Sequence, residues 1–102
     1  MKIERKLIHV DLDGVLCHGV CWTPTECLNA KPNLKMIIKV NHLFQRNYII
    51  IYTARRDRLI PVTIQWLRKN EVLYHAISNL KNPTDFYVDD CMLSMKEFLK
   101  ST

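Results

Sequence analysis

Apolar positions along the chain alternate between strand-like and helix-like spacing, and that alternation predicts its elements. KLIHVDL (6–12) is short, apolar and weakly alternating, and predicts a buried first strand. Residues 14–32 contain Gly14, Gly19, Pro24 and Pro32 without a sustained period, and predict loop, with room for a hairpin flap at most over 15–27. After Pro32, Asn33 is a candidate helix cap. Leu34, Ile37, Ile38, Leu43 and Phe44 then recur on one helical face opposite Lys35, Lys39 and Gln45, with Asn47 as the stop.

YIIIYT (48–53) is continuous rather than alternating, which suits a strand covered on both faces in a parallel sheet. A second helix is predicted from about Asp57 to Asn70. Pro61 falls in its first turn, and Ile60, Thr63, Ile64 and Leu67 form its inner stripe. VLYHAI (72–77) and DFYVDD (85–90) predict a third and a fourth strand, and MLSMKEFLK (92–100) a closing helix. This order of elements implies a single α/β domain over 1–102: three-layered, Rossmannoid, with a mostly parallel sheet and no large cap.

In such a sheet ligands bind beyond the carboxyl ends of the strands. The polar residues predicted there are Asp11 and Asp13, Thr53, and Asp89 and Asp90, with Lys81 in the segment between the third and fourth strands. Residues two apart on a strand face the same side, so Asp11 and Asp13 can share a site. Two like charges held close in a low dielectric cost several kcal/mol unless a cation or shared proton relieves them. Hard carboxylate oxygens suit Mg²⁺, while the Thr53 hydroxyl and the Lys81 ammonium suit phosphate oxygens.

DLDGV, YIIIYTAR, the lysine of LKNP and DFYVDD, in that order, resemble the four motifs of the haloacid dehalogenase (HAD) superfamily of phosphohydrolases, over residues 7–90. The set YTARR, TIQWL, YH and DFYVDD is most similar to short bacterial and phage members described as capsule- or polysaccharide-biosynthesis phosphatases. The resemblance implies Asp11 as nucleophile, forming an aspartyl-phosphate. It implies Asp13 as the acid that protonates the leaving oxygen and then the base that activates water. Thr53 and Lys81 would stabilise the transferring phosphoryl group. Mg²⁺ would sit on Asp11, the main-chain carbonyl of Asp13, and Asp89 or Asp90, the register leaving open which of the last two binds directly. Cys91 stands where the family's pattern often has lysine.

Composition narrows this picture. Two glycines are too few for a Gly-rich phosphate loop. A net charge of +5 suits an anionic substrate. Apart from Arg55, Arg56 and Arg58 the basic residues are scattered. Arg55 and Arg56 are therefore candidates for substrate binding, and nucleic acid is the less favoured partner. The longest apolar run, YIIIY, is too short for a membrane span, so the expected compartment is the cytoplasm. Cys17, Cys21, Cys27 and Cys91 then read as free thiols, since their spacing fits no common zinc template. Trp22, in the flap, reads as a packing residue.

The expected function is Mg²⁺-dependent hydrolysis of a phosphorylated small molecule, such as a sugar phosphate or nucleotide. The alternatives are a nucleic-acid end phosphatase and a HAD-like binding or regulatory module without turnover. An open, capless site leaves room for closure by a second copy, a homo-oligomer. A response-regulator receiver fails on order, because its middle strand ends in an acceptor aspartate and here that strand ends in Thr53.

Overall fold

The computed structural model of the protein describes residues 3–80 and 84–88. Four parallel strands, β1 (Leu7–Asp11), β2 (Tyr48–Tyr52), β3 (Ala76–Ser78) and β4 (Phe86–Val88), form one sheet in the order β3-β2-β1-β4. Between them lie α1 (Pro24–Leu28), α2 (Leu34–Phe44), a 3₁₀ turn (Asp57–Leu59) and α3 (Ile60–Lys69). The predicted closing helix lies outside the described residues.

Register fixes which side chains share a face. Ile8 pairs with Ile49 and Phe86, and Val10 with Ile51 and Val88. These positions join Met36, Ile37, Val40 and Leu43 of α2 and Trp66 and Leu67 of α3 in one core cluster. His9, Asp11, Ile50, Tyr52 and Tyr87 occupy the opposite face by alternation. The described residues thus form two layers of an α/β fold, with both long helices against one sheet face.

The structure corrects both predicted helix stripes. On α2, Leu34 and Ile38 are exposed and Met36 and Val40 are buried instead. The two candidate stripes are offset by about half a turn, and apolarity alone does not choose between them. Asn33 does cap α2, accepting from the Met36 N–H at 3.4 Å, but the helix ends at Phe44, before Asn47. Asn47 is instead a buried brace. Its Nδ2 donates to the Ile3 and Leu43 carbonyls, and its Oδ1 accepts from Lys6 N–H. On α3 the buried stripe is Thr63, Trp66 and Leu67, continued by Leu59 before the helix, while Ile64 faces out. Trp66 fits this stripe because its indole N–H reaches the Ala30 carbonyl at 2.8 Å.

The third strand is shorter than 72–77 because α3 claims its first residues. Glu71 takes a left-handed conformation (φ 56°). Glu71 N–H then donates to the Arg68 carbonyl, and Val72 N–H to the Leu67 carbonyl. This is a Schellman closure, sealed by Val72 and Leu67 in the same core cluster. Val72 is therefore committed to the helix end, and pairing with β2 begins at Ala76.

The expected flap hairpin is also corrected. Residues 18–23 form no strand, and α1 starts at Pro24 under a capping box. Glu26 N–H donates to Thr23 Oγ1, and Thr23 N–H donates to Glu26 Oε1. Cys21 and Cys27 are joined by a disulfide across this turn, so they are not the free thiols expected from sequence. Cys27, Cys21 and Leu59 form a second, small core with Val62 against it.

Candidate functional site

β1 is the branch point of the sheet: the chain leaves it toward β2 and β3 and returns on its other side as β4. A crevice opens beyond the strands at such a reversal, and ligands in open α/β sheets bind there. Asp11, the last residue of β1, lies at that place. Its Oδ1 accepts from the Tyr87 hydroxyl at 2.8 Å, so the neighbouring strand orients this carboxylate. Tyr87 is buried and packs beside Tyr52 and His9, at ring-centroid distances of 5.9 and 6.1 Å. His9 itself is buried, which holds its imidazole below the usual range, and its Nδ1 has no partner among the described residues.

Past Asp11 the chain bends tightly. The Leu12 carbonyl accepts from the N–H groups of Val15, Leu16 and Cys17, and Gly14 N–H donates to the Cys17 carbonyl. This winding requires φ +82° at Gly14, open to glycine at little cost. It also turns Asp13 toward Arg55, two residues beyond the end of β2's successor Thr53.

Arg55 is buried, and its guanidinium forms a fork on Asp13. Nη2 donates to Oδ1 at 2.7 Å and Nε to Oδ2 at 3.2 Å. Its remaining arm, Nη1, donates to Thr63 Oγ1 at 2.8 Å, and that hydroxyl donates to the Leu59 carbonyl at 2.7 Å. The chain Asp13–Arg55–Thr63–Leu59 ties the site to α3. Cys17 Sγ sits 3.6 Å from Asp13 Oδ1 and 3.6 Å from the Leu12 carbonyl. Burial above all, then the charge of Asp13, pushes this thiol up to about 11, against the opposing effect of Arg55. Cys17 is therefore a neutral packing group beside the carboxylate.

Thr53 is buried, and its Oγ1 accepts from Arg55 N–H at 3.1 Å, which leaves the hydroxyl hydrogen to be donated elsewhere. It lines a cleft of about 280 Å³ with Asp57, Ser78 and Asn79. Arg56 is exposed and lines a second cavity, of about 350 Å³, with Asp13, Trp22, Arg55 and Arg58. Another cavity of similar size, walled by Ile3, His42, Arg46 and Asn47, lies at the amino ends of the strands and away from these groups.

The structure thus places Asp11, Asp13, Thr53, Arg55 and Arg56 at the carboxyl edge of the sheet. Arg55, read from sequence as a substrate ligand, is turned inward onto Asp13 and Thr63. Lys81, Asp89 and Asp90 lie outside the described residues. Among the described residues no three His, Cys, Asp or Glu side chains gather as a metal cage. Oxygen donors suited to a hard cation are nevertheless at hand. The Asp11 carboxylate is such a donor, while both Asp13 carboxylate oxygens are engaged by Arg55.

Three site features escaped the sequence. Tyr87 was one residue of a predicted strand, Arg55 a candidate for substrate rather than for Asp13, and Trp22 a packing residue, yet Trp22 is 72% exposed. The capping box T-P-T-E at 23–26 was the legible signal for α1, and hence for the placement of Trp22. No helix among the described residues is long and apolar enough to cross a membrane. No family model, curated protein or solved structure matches the chain.

Proposed function

We propose that the protein is a small, capless, Mg²⁺-dependent phosphomonoesterase of HAD type. The observation that carries the proposal is the convergence of Asp11, Asp13 and Thr53 at the carboxyl edge of a parallel sheet, beside its switch point. Asp11, held by Tyr87, is the nucleophile: a carboxylate oxygen attacks phosphorus, forming an aspartyl-phosphate as the bond to the leaving oxygen breaks. Asp13 delivers a proton to the departing oxygen and later takes one from the attacking water. Arg55 holds both Asp13 oxygens, so one of its hydrogen bonds must yield when Asp13 carries the proton. Thr53 Oγ–H donates to a phosphoryl oxygen, and Lys81 supplies the balancing charge. A cation would be held by Asp11, the Asp13 carbonyl and Asp89 or Asp90, and would offset charge on the transferring group. The substrate is a phosphorylated small molecule.

The test is hydrolysis of an aryl phosphate by the wild type and by Asp11→Asn, with Mg²⁺ and with EDTA. Turnover that is lost with either change is expected. Full Mg²⁺-dependent hydrolysis by Asp11→Asn would overturn the assignment of the nucleophile.

A further inference from the structure

We infer that the cavity beside Asp13 is a nucleoside site, so that the phosphomonoester is a nucleoside monophosphate rather than a bare sugar phosphate; the inference rests on the phosphomonoesterase reading for its assignment of the leaving group. Asp13 acts on the leaving oxygen, so the organic part of the substrate lies on the side Asp13 faces. That side is the cavity of about 350 Å³, a volume at the small-ligand end of binding pockets. Its walls offer one aromatic face and two exposed guanidinium groups: Trp22, Arg56 and Arg58.

Trp22 is 72% exposed in a chain that buries its other tryptophan almost completely. Its backbone is nonetheless fixed on both sides. Trp22 N–H donates to Glu26 Oε1 at 3.3 Å, and its carbonyl accepts from Arg58 Nη2 at 3.5 Å. The preceding residue, Cys21, is pinned by the disulfide to Cys27 and packs on Leu59. An indole displayed from so constrained a backbone is a stacking platform, not a frayed core residue. Flat bases stack on such a face with little regard to identity, while arginine donors match acceptor atoms on purine edges. A sugar phosphate has no planar face to use this wall.

Binding separates the inference from the reading beneath it. Asp11→Asn protein with Mg²⁺ is titrated calorimetrically with adenosine 5′-monophosphate and with ribose 5-phosphate, so that affinity is read equally in variants lacking Trp22; indole emission is recorded alongside where Trp22 is present, over the background of buried Trp66. The nucleotide is expected to bind about tenfold more tightly than the sugar phosphate and to quench emission. In the same background, Trp22→Ala should erase that ratio and Trp22→Phe should keep most of it. An exposed side chain is removed, so an unchanged melting temperature is expected for both. Equal affinity for the two ligands, or a ratio untouched by Trp22→Ala, overturns the nucleoside site. A preserved preference with no hydrolysis of either ligand by the wild type leaves the nucleoside site standing and overturns the phosphatase reading; hydrolysis without preference does the reverse.

Discussion

At the scale of single residues, the pairing of Asp13 with Arg55 decides most of what the site can do. A fork of two hydrogen bonds fixes the plane of the carboxylate as well as its position, which a point charge cannot do. Arg55→Lys keeps the cation and loses the fork. On the proposed mechanism Arg55 orients the proton carrier, so the variant should lower kcat for an aryl phosphate about tenfold while KM moves less than about twofold. Steady-state kinetics read the split, and a change confined to KM would return Arg55 to the substrate. Arg55→Ala leaves Asp13 and Thr63 without their partner in a largely buried place. It should cost about 3 kcal/mol in urea unfolding. None of this was visible in YTAR, where the arginine reads as a candidate for substrate binding. Its inward turn depends on the chain reversal at Gly14, distant in sequence, and on Thr63 of α3, on the next helix.

Individual elements were legible in proportion to how local their causes are. The strands β1 and β2 follow from composition over five residues, and the α2 cap from Asn33. Which side of α2 is buried depends on the sheet it meets, and Leu34 and Ile38 were as apolar as Met36 and Val40. The helix α1 reverses this case, since a strong local signal, the capping box, was read as loop. Three predictions belong here. Thr23→Ala removes the acceptor for Glu26 N–H and should cost about 1 kcal/mol. Cys21→Ser with Cys27→Ser opens a loop of short span and should cost about 2 kcal/mol, seen as a lower denaturation midpoint that reductant reproduces in the wild type. At the other end of the core, Glu71 holds a conformation that suits glycine. Glu71→Gly should raise stability by about 0.5–1 kcal/mol, read from the urea midpoint.

For the whole molecule, Tyr87 reaches Asp11 only because β4 returns beside β1. That return is held by a clasp at the amino end of the strands, far from the chemistry. Leu7 N–H donates to Asp85 Oδ2 at 2.7 Å, Asp85 N–H donates to the Leu7 carbonyl, and Thr84 Oγ1–H donates to that same carbonyl at 2.7 Å. From this clasp three paired residues carry the chain to Val88, placing Tyr87 on Asp11. The parallel order of the motifs in sequence made the carboxyl edge foreseeable, whereas the clasp was not, because nothing local to Asp85, read as the first residue of the fourth strand, points to Leu7, 78 residues away. Asp85→Ala removes one acceptor of the clasp and should loosen β4 by about 1 kcal/mol. Amide exchange at Phe86–Val88 should then quicken about fivefold, while the amides of β1 and β2 keep their wild-type rates. Turnover of an aryl phosphate should fall with it, since Asp11 loses the steadiness of its Tyr87 donor. If exchange at Phe86–Val88 does not change, the clasp does not seat β4, and the orientation of Asp11 must come from its neighbours on β2 instead.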